Sequence, residues 1–590
     1  MFNKTYVHFI ILAAALFAVY SNAFNSPFQY DDKHVILWNK DIKTPDGINK
    51  MIKSSYRPVL RSTFALNYKW FGLNTAGYHV FNKAIHLING LLLYLLLFLL
   101  FKDRALAFLG SMVFIVHPLN TQAVNYISAR SSSLCTVFYI LAVIFFISAN
   151  REKIKNAYMF YTLSFLSFLV ALGVKEEAIS IPVMLAVYDL LFNKPGFNKF
   201  IKKQAVYIVS ASGYLLMRLI GTGTIGDYST ERNLATTVFT NLKAMVFENL
   251  KLIFVPVNLN IAYEFPEIKA IDLNVIPAIA VIAVLIVVAL KAAGSRKWIT
   301  FAIMWFFVTL LPTQTVVARE EIICEHRLYL AGVSFCIFYA GFVNNLKVSG
   351  FKVLPVKTSR VLINLSVLVL ILIFGFRTYE RNRDWQSEIC IWEKMAEKFP
   401  SSYKAHSNLG NACAEKGIYS KAIEHYEIIL KNSPGDSRVN NNLGNVYYLT
   451  GQYDKAAERY RESIKSDPDY NTAYNNLGMV YEKMNLYDSA LKVYEELLKV
   501  NPDDSGAYSR MGDVYMKKGA YNEAIKMYAS SIKIDPDKAV VNNNLGNAYY
   551  HKGMYDEAIN SYRKALSIEP SLMQAGENLK LAVKMKNLKP

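Results

Sequence analysis

Two patterns of apolar and polar positions divide the chain. Up to about residue 380, apolar runs near the length of a bilayer crossing recur at about 5–24, 84–101, 104–118, 133–149, 157–174, 178–193, 204–221, 273–291, 298–312, 328–345 and 361–377. These predict eleven transmembrane helices. A further stretch, 238–256, is interrupted by Lys243, Glu248, Asn249 and Lys251, so it spans, re-enters or lies on the surface. Beyond residue 400 the apolar positions keep helical spacing within a unit that repeats every 34 residues. The expected fold is therefore all-α: a membrane domain over 1–380 with a long loop at 25–83, a linker helix over 381–402, five helical repeats over 403–570 and a capping helix over 571–590.

Charge sets the sidedness. The net charge is +19, yet residues 401–590 carry 25 Lys and Arg against 23 Asp and Glu, so nearly all of the excess lies in the apolar half. With the N-terminus cytoplasmic and 238–256 not crossing, the basic loops all face inward: Lys102/Arg104, Arg151/Lys153/Lys155, Lys194/Lys199/Lys202/Lys203, Lys291/Arg296/Lys297 and Lys347/Lys352/Lys357/Arg360. Eleven crossings then put the repeats on the non-cytoplasmic side. A cleaved first segment, with small Ser21 and Ala23 after its apolar core, would leave that sidedness unchanged. Loop charge of this kind and a mean hydropathy of +0.18 argue against a soluble enzyme and a nucleic-acid binder. The five Cys form no C-x-x-C pair, hence neither a disulfide framework nor a zinc site.

Within the repeats, Asn408-Leu409-Gly410 recurs as Asn442-Leu443-Gly444, Asn476-Leu477-Gly478, Arg510-Met511-Gly512 and Asn544-Leu545-Gly546. Tyr419, Ala422 and Tyr426 and their counterparts follow in the same phase, and Pro400, Pro434, Pro468, Pro502, Pro536 and Pro570 punctuate the units. This resembles the tetratricopeptide repeat, in which the Gly admits a close helix approach and the Ala packs at the crossing. Asn408, Asn411, Asn442, Asn445, Asn476, Asn544 and Asn547 would stack along the concave groove. There they form either a ladder offering amides to an extended peptide acceptor, as in protein-modifying O-GlcNAc transferases, or simply a soluble filler of that position. Arg510 interrupts the series.

Polar and ionisable residues gather at the outward ends of the helices: Tyr30-Asp31-Asp32, Tyr56-Arg57-Pro58, Gly77-Tyr78-His79, His117-Pro118, Ala129-Arg130, Lys175-Glu176, Arg218, and Glu325-His326-Arg327-Leu328-Tyr329. Such a convergent set at a membrane surface marks a functional site, whereas each cation alone reads as an interfacial anchor. These motifs in this order, with the repeats after them, resemble the transmembrane-and-tetratricopeptide-repeat O-mannosyltransferase family, C-type glycosyltransferases that use polyprenyl-phosphate sugars. A bacterial member would sit in the inner membrane. Glu325-His326-Arg327 departs from the Glu-Arg pair of animal members, and the sugar does not carry over.

The resemblance implies an inverting transfer of a sugar, mannose in the family, from a polyprenyl phosphate to a protein hydroxyl on the outer face. That reaction needs a carboxylate to take the acceptor proton and cations to hold the departing phosphate. Asp31 and Asp32 are the candidate catalytic pair; on an extended strand they would point to opposite sides, and a shared divalent ion is the alternative use of both. The plain alternative is a helix cap or turn. Arg57, Arg130, Lys175, Arg218, His326 and Arg327 are the candidate donor-phosphate ligands, with Tyr56, His79, His117, Glu176 and Glu325 supporting them. Two other functions fit the same outline. An O-antigen ligase or polymerase would place its main functional loop late in the chain, and a non-enzymatic repeat scaffold would need only one helical anchor.

Overall fold

A computed structural model describes residues 2–44, 46–54, 56–151, 156–222, 232–269, 273, 275–314, 319, 321–349 and 356–588. Lys153, Lys155 and Lys352 of the inward loops lie outside the described residues. The described elements are helices and turns, and the chain divides into two compact units, Met1–Lys398 and Phe399–Pro590. The linker helix, Glu388–Lys398, thus falls in the first unit.

Five helices of the first unit are long and apolar enough to cross a membrane: Thr5–Ala23, Thr75–Phe101, Ile127–Ala149, Ile276–Ser295 and Val361–Gln386. Seven qualify if each of two bent pairs, Arg104–Ile115 with Pro118–Asn125 and Glu325–Ala331 with Val333–Leu346, counts once. Ala157–Leu172 and Lys297–Leu310 are shorter apolar helices. The unit is therefore a membrane-embedded helical bundle. Stretch 238–256 forms Leu234–Lys243, a π-turn and Leu250–Phe254.

Helix Thr75–Phe101 begins nine residues before its apolar run because its polar first half packs inward. Asn74 caps it through Ala76 N, and His79, Asn82, Lys83, His86 and Asn89 are all buried. Each finds a partner, as burial demands: Lys83 Nζ donates to Ala23 O at 2.7 Å and Asn89 Nδ2 to Ser133 O at 2.8 Å. His86 Nε2 faces the Ile115 carbonyl and must donate, which leaves Nδ1 to accept from the Tyr329 hydroxyl at 2.6 Å.

In the second unit, five helix pairs run from Tyr403–Glu415 with Tyr419–Asn432 to Ala539–His551 with Tyr555–Ile568, and Met573–Leu588 closes the array. These are tetratricopeptide repeats with a terminal cap. Each repeat Gly faces the ring of the Tyr sixteen residues on. A methyl at Gly410 would lie 2.6 Å from Tyr426, and one at Gly478 would lie 2.3 Å from Tyr494, so only Gly permits the approach. The Ala of each second helix, Ala422 through Ala558, is fully buried. Gly417, Gly451, Gly519 and Gly553 turn the chain between paired helices with φ of 73–79°; in the third repeat Asn485 takes that left-handed position at φ 60°.

Candidate functional site

One end of the helical bundle holds a cavity of about 570 Å³. Five stretches build it: the turn after the first helix (Asp31, His34), the start of helix Pro58–Phe71 (Tyr56, Arg57, Arg61), the turn before helix Arg130–Ala149 and its first residues (Tyr126, Ser128, Ser131), Lys175 and Glu176 after Ala157–Leu172, and Arg319, Glu321, His326 and Arg327, with Arg218 reaching in from helix Phe197–Thr222. From helix Pro58–Phe71 onward, the chain runs out and back through apolar helices between successive visits to this end. Beside segment 234–254, Arg232 donates to the carbonyl of Arg319 at the cavity, and at its other end Ile253 O accepts from His117 Nε2 at 3.0 Å.

Glu176 organises the cations. Its Oε2 lies 2.9 Å from Arg57 Nη2 and 3.7 Å from Arg218 Nη1, and its Oε1 lies 2.9 Å from Arg319 Nη2. Burial pushes this carboxyl up, but the Arg57, Arg319 and Lys175 charges outweigh it and hold it well below the usual carboxylate range. It stays ionised and fixes three guanidinium groups around one point. Lys175 is held by Glu177 at 2.6 Å and Ser132 Oγ at 2.8 Å, and Arg327 Nη1 donates to Glu321 O at 2.6 Å. His326 is anchored by its backbone N–H to Gln122 Oε1 at 2.7 Å. Six Arg or Lys side chains (Arg57, Arg61, Lys175, Arg218, Arg319, Arg327) thus face three carboxylates (Asp31, Glu176, Glu321), and the excess suits a phosphate.

The Asp-Asp pair does not sit on an extended strand. Tyr30 adopts a left-handed φ of 48° and the chain turns directly into a helical run, so Asp31 and Asp32 diverge as neighbours in a turn. Asp31 lines the cavity, and its backbone N–H donates to the Tyr126 hydroxyl at 3.2 Å. Asp32 is buried behind it. Its Oδ2 accepts from Gln29 N at 3.1 Å and its Oδ1 from Ser128 N at 2.7 Å and Ser128 Oγ. Burial raises its carboxyl to about 7 despite those three donors. Asp31 lies at the cavity wall and Asp32 is buried on Gln29 and Ser128, and among the described residues no three His, Cys, Asp or Glu gather as metal ligands.

Of the other residues singled out from sequence, Tyr56, Arg57, Lys175, Glu176, Arg218, His326 and Arg327 line the cavity. Arg130 does not: it is fully buried between the Phe64 and Phe81 rings, each 4.6 Å away, with Nε on Asn82 Oδ1 at 2.6 Å and Nη1 on Thr63 Oγ1 at 3.2 Å. It braces the helix ends behind the site. His79 is buried against Ser26 O at 2.9 Å, His117 holds Ile253 O, and Glu325 pairs with Arg381 at 3.5 Å and Tyr263 at 2.7 Å. Arg61 and Ser128 were not foreseen, although Arg61 follows Arg57 by one helical turn, the spacing that places two side chains on one face.

The asparagine series bonds to itself. Asn411 Oδ1 accepts from Tyr426 Oη (2.7 Å) and from Asn442 Nδ2 of the next repeat (3.1 Å); Asn445 does the same with Tyr460 and Asn476. Asn547 repeats the pattern with Tyr562 and Asn578, while Asp513 substitutes for Asn toward Tyr528 and Asn544. Asn408, with no repeat before it, turns to its own helix at Lys404 O. The break at Arg510 is matched by Met479 in the preceding repeat, and there Tyr494 donates to Glu482 instead. Much of the amide capacity therefore joins repeat to repeat.

Comparison with known proteins places both units. Residues 444–485 and 512–553 match the family described as TPR repeat, and 391–437, 472–504 and 539–572 match families described as Tetratricopeptide repeat. Protein O-mannosyl-transferase F38B6.6 of Caenorhabditis elegans is 26% identical over 448 residues, 71% of this chain and 61% of that protein. Protein O-mannosyl-transferase TMTC4 of Homo sapiens is 24% identical over 490 residues, 71% of this chain and 65% of that protein. The chain is a homologue of these protein O-mannosyl-transferases. It spans about three fifths of the length of the relatives it matches. A crystal structure of MamA protein is similar over 28% of this chain and 91% of its own, at 28% identity and a TM-score of 0.27.

Proposed function

We propose that this homologue is a membrane glycosyltransferase that moves a sugar, mannose by kinship, from a polyprenyl-phosphate donor to a hydroxyl of a protein acceptor, on the face of the membrane opposite the basic loops. The observation that carries this reading is the placement of Asp31 across one cavity from a Glu176-ordered set of arginines. Asp31 takes the proton of the acceptor hydroxyl as its oxygen attacks the anomeric carbon from the side away from the phosphate. The bond from that carbon to the phosphate oxygen breaks, and the phosphate leaves with the electron pair toward Arg57, Lys175, Arg218 and Arg327. The configuration at the anomeric carbon inverts. Asp32 shapes the turn and does not touch substrate. The repeats hold the acceptor polypeptide.

The test is transfer of labelled mannose from undecaprenyl-phosphate mannose to envelope proteins in membranes carrying the parent chain, Asp31→Asn or Asp32→Asn. Loss with Asp31→Asn and retained, reduced transfer with Asp32→Asn is expected. Equal transfer by Asp31→Asn, or none by the parent, would move the weight to a ligase or a scaffold.

A further inference from the structure

The short segment that follows the last membrane helix grips the turn bearing Asp31 from behind. Glu388, at the start of helix Glu388–Lys398, accepts the backbone N–H of Tyr30 with Oε1 and pairs with Lys33 Nζ through Oε2 at 2.8 Å. Its two bonds thus bracket Asp31 and Asp32 in sequence. Trp385, at the end of helix Val361–Gln386, and Trp392, in the segment after it, add three further holds. Trp385 O accepts from Gln29 Nε2, the Trp385 indole stacks on the Tyr126 ring at 5.8 Å, and Trp392 meets the Tyr30 ring edge-on at 5.4 Å. Tyr126 in turn accepts the N–H of Asp31. Trp385 and Trp392 are almost wholly buried.

Such a clamp has a purpose at this residue. Tyr30 is a non-glycine residue at φ 48°, a conformation that persists only where the surroundings over-determine it. If the turn relaxes, Asp31 swings with it, because the two share a peptide bond. Glu388 does not line the cavity, so it acts only through the turn.

We propose that Glu388 is a positioning residue for the transfer reaction: by holding Tyr30 N and Lys33 Nζ at once, it fixes the carboxylate of Asp31 at the edge of the cationic cavity. The inference rests on the reading of Asp31 given under Proposed function. It also makes the stretch joining the membrane unit to the repeats part of the reaction centre's support.

Kinetics of mannose transfer from undecaprenyl-phosphate mannose, with the full chain in liposomes, separate this role from a merely structural one. Glu388→Ala lowers kcat about tenfold or more, since a misplacement near 1 Å costs up to about a hundredfold, and leaves the donor KM within twofold, because no cavity cation depends on Glu388. Glu388→Gln recovers part of that kcat, its carbonyl still accepting from Tyr30 N while its amide N–H groups lose the Lys33 pair. Should Glu388→Ala not survive extraction, Glu388→Asp carries the test: one methylene too short to reach both partners, it gives an intermediate kcat at an unchanged KM. A kcat within twofold of the parent for the Ala variant (or, in its absence, the Asp variant), a loss expressed in KM, or no recovery by Gln overturns the proposal. An Asp31→Asn control separates the two failures. If that variant transfers like the parent, or the parent does not transfer, the reading of the site has failed and the proposal with it. If Asp31→Asn is inactive while Glu388→Ala matches the parent, the proposal alone has failed.

Discussion

Replacing Asp32 by Asn tests whether this carboxylate serves the turn through its burial. The carboxyl sits at about 7 in the folded protein against 3.8 in an unfolded chain, so the folded state holds the proton more tightly. A raised folded value gives stability that is complete below pH 4 and lost as pH rises through 7. Integrated from pH 5 to pH 8, the loss is about 3 kcal/mol. Asn cannot titrate, and its amide must turn an N–H toward either Ser128 N or Gln29 N, a constant cost of about 1–3 kcal/mol. That cost lowers stability equally at both pH values, while the pH-dependent part vanishes. All six Trp (Trp38, Trp70, Trp298, Trp305, Trp385, Trp392) lie in the membrane unit, so intrinsic fluorescence melting of the detergent-solubilised protein reports this unit alone. With roughly 1 °C per kcal/mol for a unit of this size, the parent should lose about 3 °C more than Asp32→Asn between pH 5 and pH 8. The other titrating groups are common to both and cancel. Equal pH dependence in the two proteins would refute the argument.

Three more outcomes follow from the packing. Gly478→Ala forces a methyl to 2.3 Å from the Tyr494 ring, so it should destabilise the repeat unit by about 1–3 kcal/mol, seen as an earlier circular-dichroism transition while the Trp signal stays put. Met479→Asn with Arg510→Asn rebuilds the missing rung between the third and fourth repeats; the pair should stabilise by about 0.5–1.5 kcal/mol more than the sum of the single changes, and an additive cycle in denaturant unfolding would show the rung is not made. Arg130→Lys should reduce the yield of folded protein without changing donor KM in what survives, whereas Arg57→Gln should raise that KM; a raised KM for Arg130→Lys would return Arg130 to the phosphate site.

The repeats were legible because each depends on neighbours within a few dozen residues, and a 34-residue period writes that directly into the sequence. What the period does not carry is where each amide goes. Whether Asn442 turns outward to a peptide or sideways to Asn411 depends on how far successive repeats rotate. In the membrane unit, hydropathy located helices but misjudged Thr75–Phe101, since His79, Asn82 and Lys83 are polar residues facing other helices rather than water. The cationic end was legible as an ensemble, and Arg57, Lys175, Arg218 and Arg327 do converge. Arg130 looked the same in sequence. Only the Phe64 and Phe81 rings that enclose it distinguish a brace from a ligand.

The Asp-Asp pair shows why residue type alone left the roles open. Strand alternation separates neighbours by pointing them to opposite faces, but here the separation comes from a left-handed Tyr30 and from Ser128, whose N–H and hydroxyl both claim Asp32. A carboxylate that accepts three protein donors has little capacity left for an acceptor hydroxyl. Its work is to tie the turn after the first helix to the turn before helix Arg130–Ala149, the two elements that also carry Asp31 and Tyr126. Glu176 plays the matching part across the cavity, spending its charge on Arg57, Arg218 and Arg319. Both buried carboxylates thus hold geometry, one for the turn that carries Asp31 and one for the cations. The division leaves Asp31, at the cavity wall, as the member of the pair to which the proposed reaction assigns the base.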